Sequence, residues 1–400
     1  KIELRIIGGT WSCYPRKYQR WFIKECFQGC NEFGRPKISA SRRPLPAVRT
    51  LEREQKKNER AKHRIVGLSI ETRPDFINEK EIKRLRKLGA TMVELGVQSI
   101  YDDVLKINKR GHLVEATIRA TKLLKESGFK VLYQMMPNLP GSGPKRDEKM
   151  FKEIFSNPDF QPDLLKIYPC VLLKEAPLYK LWLKKKYKPY TAARLRALLK
   201  SVKKQIPYYV RIQRIIRDIP AQNIVAGPGK ISNLRQLIAE DMKKENWECK
   251  CIRCREVKEN YNPKEKLYLF RQDYGASGGR EIFLSFENKD RTKLYSLLRL
   301  RIPSYLLNPN LGEEKPIFSV LKNSAIIREL HTYGQLVPVA EKREAPQHKG
   351  FGKKLIKEAE GIAKEEFGAE KIAVISGIGV RGYYRKLGYR LKDTYMVKRL

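Results

Sequence analysis

Three cysteines fall within six residues, Cys249, Cys251 and Cys254, and thiolates so close together are soft ligands that favour zinc in a tetrahedral structural site. Positive neighbours, Lys250 and Arg253 among them, lower thiol pKa values and assist metal loading. A histidine, a distant cysteine or water would each serve as fourth ligand. A second pattern, Gln347-His348-Lys349-Gly350-Phe351-Gly352, opens the helix-like stretch Lys353 to Phe367. Such a turn aims several backbone N–H groups and the positive end of the helix dipole at one point, where an anion binds and a pyrophosphate fits. Glycines at 350 and 352 let phosphates approach the backbone with no Cβ in the way.

These residues need a frame, and the chain has material for one. Four hundred residues exceed a single compact core, and 41% apolar with 10% aromatic residues supports real cores. No run of eighteen apolar residues exists, which argues against a membrane span. Seven cysteines, an odd number, argue against a disulfide framework and for a cytoplasmic protein. A net charge of +40, from 84 basic against 44 acidic side chains, points to a polyanionic partner. Residues 1–235 alternate strand runs (Glu3–Ile7, Ile65–Ile70, Met92–Val97, Lys130–Met135, Leu164–Tyr168, Tyr208–Ile212) with helical patterns, which predicts α/β architecture and a partial (β/α) barrel. Residues 236–260 read as a connector carrying the cysteine cluster. Residues 261–400 switch to alternating, antiparallel strands and form a second, α+β domain. Arg211, Arg214 and Arg217, the run Lys184-Lys185-Lys186-Tyr187-Lys188 and the basic helix Asn233 to Lys244 form a candidate RNA track, with cations gripping phosphates and tyrosine stacking on bases.

The Gly-rich turn, its helix, the strand Lys371 to Ser376 and Gly382-Tyr383-Tyr384-Arg385-Lys386-Leu387-Gly388-Tyr389 together resemble the acetyl-CoA-binding core of the GNAT acetyltransferases. In the first domain, Glu71-Thr72-Arg73-Pro74-Asp75, Glu94-Leu95-Gly96-Val97-Gln98-Ser99 and Met135-Met136-Pro137-Asn138-Leu139-Pro140-Gly141 resemble radical S-adenosylmethionine enzymes. With Ile167-Tyr168-Pro169, Tyr187-Lys188-Pro189-Tyr190 and Arg217-Asp218-Ile219-Pro220, nearly the whole chain is similar to the family of Elongator catalytic subunits, which modify wobble uridine in the tRNA anticodon loop.

That resemblance implies acetyl-CoA, S-adenosylmethionine and a [4Fe–4S] cluster as cofactors, and other Elongator-type subunits as partners. It implies a reaction in which a 5′-deoxyadenosyl radical takes hydrogen from the acetyl methyl group, the carbon radical adds to C5 of uridine, and hydrolysis leaves 5-carboxymethyluridine. It carries acetyl-CoA contacts onto Glu329, Leu330, His331, Thr332, Gln347, Gly350, Phe351, Gly352 and Lys353. Tyr384 is the favoured proton-donating phenol with Tyr383 beside it, and Lys1 has a counterpart near acetyl-CoA. The family's three-cysteine cluster motif is expected upstream of Lys1, where the chain starts mid-strand with no methionine and no signal peptide, so these residues alone are expected not to cleave S-adenosylmethionine. Cys26 and Cys30, at i and i+4 of one helix with no CxxC following, are rejected as cluster ligands. A lysine N-acetyltransferase acting on histones or other proteins is the alternative, and a tRNA-binding assembly subunit is a third reading.

Overall fold

The computed structural model describes residues 1–34, 50–216, 219–228, 233–257, 262, 264–308, 315–334 and 350–400. In chain order the first part runs β1 (Ile2–Ile6), α1 (Arg16–Glu32), α2 (Leu51–Asn58), β2 (Ile65–Thr72), α3 (Glu79–Leu88), β3 (Met92–Gln98), α4 (Asp102–Ile107) and α5 (Val114–Glu126). It continues with β4 (Lys130–Met135), α6 (Pro144–Ser156), β5 (Leu164–Ile167), β6 (Leu172–Leu173), α7 (Leu178–Leu183), α8 (Ala192–Gln205), β7 (Arg211–Arg214) and β8 (Ile224–Ala226). Then follow α9 (Leu234–Lys244), α10 (Ile252–Arg255), β9 (Tyr268–Ala276), β10 (Gly279–Glu287), β11 (Leu294–Ile302) and α11 (Ser304–Leu307). β12 (Ser324–Thr332), α12 (Phe351–Glu365), β13 (Lys371–Val374), α13 (Arg381–Arg385), β14 (Arg390–Lys392) and β15 (Tyr395–Arg399) complete it.

Strands β1-β2-β3-β4-β5-β7 form one six-stranded sheet, every pair parallel, as β–α repeats with apolar strands require. The helices between them are locally specified. Asn78 caps α3 by accepting from the Glu81 amide at 3.0 Å, and Thr191 caps α8. The expected strand Tyr208–Ile212 is corrected to Arg211–Arg214: the Val210 amide donates to the Pro207 carbonyl at 3.2 Å, closing a turn that delays the strand. The two edge strands approach one another. With the Gln213 amide oriented so that its oxygen accepts, Arg5 on β1 donates to Gln213 on β7 at 2.9 Å, so the six strands curl into a partial barrel.

The second sheet has the order β14-β15-β13-β12-β11-β10-β9, antiparallel except for the β12–β13 pair. One face of it, with Ile282, Leu298, Leu300, Ile327 and Ile372, packs on α12. The other face carries Phe283, Leu297, Ile326 and Ala373, which join the barrel's own core. The contact is intimate: a Cβ at Gly377 would stand 2.0 Å from the Val66 carbonyl oxygen, so only glycine fits there.

Charged side chains saturate this contact. Arg328 donates to Asp163 at 2.9 Å, Glu281 at 2.8 Å and the Phe129 carbonyl at 2.7 Å. Arg299 donates to Glu329 at 2.8 Å and the Tyr209 carbonyl at 2.7 Å, and Arg301 binds Glu281 and Glu126. Lys125 lies 3.7 Å from Asp163 and 3.8 Å from Glu281. Asp163 and Lys125 come from the barrel, whereas Glu281 and the three arginines come from the second sheet, so the ions are shared. Burial by itself would raise the Asp163 carboxyl, but Arg328, Lys125 and Arg299 hold it well below the usual carboxylate range. Burial pushes Lys125 down to about 8 against the pull of the same acids.

Removing one member strands the others. Arg328→Met should cost about 3–5 kcal/mol in urea unfolding, because Asp163 and Glu281 stay buried without their main counter-ion. Arg20→Ala, which deletes an exposed partner of Glu52, should cost no more than about 1 kcal/mol. Equal losses would contradict the ranking. Because Asp163 is depressed in the folded state, its stabilisation is present above the unfolded value of about 4 and is lost as pH falls below it. Urea midpoints measured from pH 7 down to pH 3 should therefore drop less steeply for Arg328→Met than for the parent.

Candidate functional site at the junction of the two sheets

β12 carries the site. It pairs with β13 only over Ser324–Ile327, after which the two strands diverge, with the Ile375 amide bonding to the Ile327 carbonyl at 3.2 Å as the last tie. From Arg328 to Thr332 the backbone edge that faced β13 has left that partner, which makes it a place for an extended ligand with amide groups to add. Alternation then sorts the expected contacts. Leu330 and Thr332 face α12, whereas Glu329 and His331 face the barrel.

On the α12 side, Gly350 is left-handed (φ 72°) and Phe351 starts a fifteen-residue helix. A Cβ at Gly352 would lie 3.0 Å from the Tyr383 hydroxyl, 3.7 Å from Leu330 and 3.9 Å from Thr332. Turn, strand and phenol therefore meet at one spot, where position 352 carries no side chain. Tyr383 is half-buried with its hydroxyl at this cradle. Tyr384 stands behind it in the core, packed edge-on to both Tyr383 and Tyr389, and burial raises its phenol further. Lys353 follows on the first turn. Gln347 lies outside the described residues.

On the barrel side, Lys130 donates to Glu329 at 3.0 Å, and burial is outweighed by Lys130 and Arg299, which hold the Glu329 carboxyl well below its usual range. His331 stacks near Tyr333 at 4.3 Å. It retains accessible surface although protein surrounds it, and burial lowers its pKa, so it lines a recess. Glu3 and Arg5 of β1 also have accessible side chains; burial by itself would raise the Glu3 carboxyl, but Lys130 and Arg5 hold it below its usual value. Lys1 is exposed at the head of β1.

At the opposite, C-terminal mouth of the barrel, Glu94 accepts from Lys166, Gln134 and Ser69. Gln98 ends β3 and Asn138 lies in the loop after β4, with φ of 68° and 66°, conformations kept where the surroundings over-determine them. The Gln98 Oε1 is buried without a hydrogen-bond partner, the orphan acceptor that a polar ligand satisfies.

The sulfurs of Cys249, Cys251 and Cys254 lie within 4.8 Å of one another, compatible with three bonds of about 2.3 Å to one ion. They are the one such trio among the described residues. Cys26 and Cys30 sit on α1 with thiols raised by burial.

Two parts of the expected RNA track are corrected. Tyr187 is buried and donates to the Asn138 carbonyl at 2.9 Å, so it is no stacking platform; Lys184, Lys185, Lys186 and Lys188 around it are exposed. Arg211 pairs with Glu256 at 2.6 Å and donates to the Tyr333 hydroxyl at 3.3 Å, holding the junction rather than a phosphate. Arg214 is exposed, and Arg217 lies outside the described residues. Sequence reasoning missed Glu3, Arg5 and Lys130, since no local pattern marks them; only the meeting of β1, β4 and β12 does.

Residues 37–154 match the radical SAM superfamily and residues 162–244 match the radical SAM C-terminal domain. The chain is 49% identical over 408 residues to the tRNA uridine(34) acetyltransferase of Methanocaldococcus jannaschii, covering all of this chain and 71% of that one. It is 40% identical over 405 residues to human Elongator complex protein 3, covering all of this chain and 70% of that one. The solved structure of Methanocaldococcus infernus Elp3 with an N-terminal deletion superimposes with a TM-score of 0.88 at 48% identity, covering all of this chain and 90% of that one.

The cradle makes a prediction. Gly352→Ala should leave the melting temperature unchanged or higher, because alanine favours a helix over glycine by about 1 kcal/mol. The added methyl group should weaken acetyl-CoA binding by roughly tenfold, about 1.4 kcal/mol, in calorimetry. Undiminished affinity would place the ligand elsewhere.

Proposed function

The chain belongs to the family of tRNA uridine(34) acetyltransferases and Elongator complex protein 3, and from that premise we propose that it holds acetyl-CoA at the β12–α12 cradle for modification of tRNA wobble uridine to 5-carboxymethyluridine. It is a radical SAM enzyme of the acyltransferase class acting on tRNA. The observation that carries the site assignment is the divergence of β12 from β13 beside the Gly350–Gly352 turn.

In this reading residues 1–235 supply the radical half, 236–260 the connector and 261–400 the acyl half. Pyrophosphate binds the first amides of α12, with Gln347, Gly350, Phe351, Gly352 and Lys353 around it. Pantetheine amides pair with the unpaired edge of Glu329, Leu330, His331 and Thr332, as an added strand would. Tyr383, with its hydroxyl at the cradle, protonates the leaving thiolate, and Tyr384 buttresses it. Lys130 and Arg299 keep Glu329 ionised, so the recess facing the barrel stays polar and admits water to the thioester. His331, lowered by burial, is neutral near pH 7 and able to accept a proton from that water. Membership of the radical SAM superfamily brings S-adenosylmethionine and a [4Fe–4S] cluster, the source of a carbon-centred radical. The residues described hold no cysteine trio at the barrel mouth for that cluster. What they offer there is the Gln98 acceptor and the Glu94–Lys166 pair. Zinc at Cys249, Cys251 and Cys254 is structural, tying the barrel to the acyl half. Among the described residues no helix is long and apolar enough to cross a membrane, and the surplus of basic side chains favours the tRNA backbone.

The test is acetyl-CoA hydrolysis by this chain with and without tRNA, followed by thiol release. A rise of about tenfold or more on adding tRNA, fading as salt is raised, is expected. Hydrolysis indifferent to tRNA, together with acetylation of a lysine peptide, would replace this reading with a protein N-acetyltransferase.

A further inference from the structure

Beside the cysteine trio lies a buried cation that neither the trio's spacing nor the family motifs point to. Lys203, near the end of α8, is 3% exposed and its Nζ donates to the Cys254 sulfur at 3.4 Å. It comes from a different element, since Cys249 to Cys254 follow α9. A lysine with so little surface needs a counter-charge, because burying an unpaired ammonium is costly. Lys203 has no carboxylate within salt-bridge distance among the described residues, and its one hydrogen bond is to sulfur. The acids nearby are otherwise engaged: Glu256 binds Arg211, and Glu287 binds Arg255 and Arg291. The charge that this ammonium answers is therefore thiolate.

Three thiolates around a divalent ion carry one net negative charge, and burying that charge is costly in its turn. Cys249 and Cys251 are 3% and 0% exposed among apolar neighbours such as Ile252, while Cys254 stands at the surface end of the cluster. One ammonium in contact with one of the sulfurs offsets that charge at the shortest distance, and Arg235 on α9 faces the same three sulfurs from farther away. We infer that Lys203 is the outer-sphere cation of the Cys249–Cys251–Cys254 metal site, neutralising a three-thiolate ion by its hydrogen bond to Cys254 and leaving the fourth coordination position to a neutral exogenous ligand such as water. The inference rests on the zinc reading of the three cysteines. It adds a residue whose loss acts on the metal without removing a ligand.

The site has mechanical leverage. Arg255, one residue beyond Cys254, donates to the Lys250 and Tyr208 carbonyls at 2.7 Å each and to Glu287 on β10 at 2.6 Å. The loop that holds the metal thus grips the barrel with one set of bonds and the second sheet with another.

The experiment titrates the purified full chain with Co(II) in place of zinc and reads the absorbance of the thiolate-to-metal and ligand-field bands, with thermal melting as a check on folding. The parent should bind one Co(II) with the intense visible bands of a tetrahedral three-sulfur site. Lys203→Met, which keeps the volume and removes the charge, should bind on the order of tenfold more weakly, as loss of outer-sphere partners does. Lys203→Arg, which keeps the cation and the donor but cannot act as a ligand, should restore affinity to near the parental value with unchanged bands. Equal affinity in all three proteins would overturn the inference and leave the zinc reading standing. Loss in both variants, with a spectral shift, would make Lys203 itself the fourth ligand and overturn the outer-sphere role. Failure of the folded parent to bind Co(II) or zinc at all would remove the metal reading and the inference with it.

Discussion

Arg328 is buried completely, and everything functional is arranged around what it holds. Its guanidinium joins Asp163 at the foot of the barrel to Glu281 in the second sheet, and its neighbours Arg299, Arg301 and Lys125 close the set. Such a network is poor evidence of stability gained over an apolar contact, because desolvation offsets much of the attraction. Its value lies in geometry. An apolar interface tolerates sliding, whereas ions fixed by two or three directed bonds accept one relative placement of the sheets. The carbonyls of Phe129 and Tyr209 add backbone marks to that placement.

One consequence is that the two kinds of chemistry share an axis. The sheet bearing the β12–α12 cradle lies against the N-terminal ends of the barrel strands, where Arg328 meets Asp163 and the Phe129 carbonyl, while Gln98 and its polar neighbours gather at the C-terminal ends. Met92, Leu132 and Leu164 form a small buried layer between these levels. Lys130 and Glu329 lie on one side of that layer, and Glu94 and Lys166 on the other. At the open side of the sheet, Arg5 and Gln213 bridge the outermost strands.

Much of this was legible in the residues. The six parallel strands, their intervening helices and the cysteine trio follow from periodicity and spacing, which are local signals, while the acetyltransferase elements were legible only through their resemblance to a known family. What local signals lack is the third dimension. Tyr187 reads as an aromatic among lysines and is in fact bonded to Asn138, four elements earlier in the chain. Arg211 reads as part of an arginine cluster and is spent on Glu256. Lys203 is one of many lysines on a basic helix until the fold sets it on a sulfur. In each case the deciding partner is distant in sequence, so composition and pattern assign the residue to the surface by default.

The arrangement of β12 shows how narrow the tolerance is. Regular alternation would send Arg328 and Glu329 to opposite faces of the sheet. The pairing with β11 slips between Arg299 and Leu300, so that Arg299 faces Glu329 while Leu300 faces Ile327, and Arg328 is the extra residue of a bulge. Both Arg328 and Glu329 consequently turn to the barrel, one to the buried acids and one to Lys130. Beyond the bulge the alternation resumes in the opposite phase, which delivers Leu330 and Thr332 to the cradle and His331 to the recess. Without that one-residue insertion, Arg328 could seat itself on Asp163 only by turning Leu330 and Thr332 away from Gly352. The bulge is what lets one strand serve the domain lock and the cofactor cradle together.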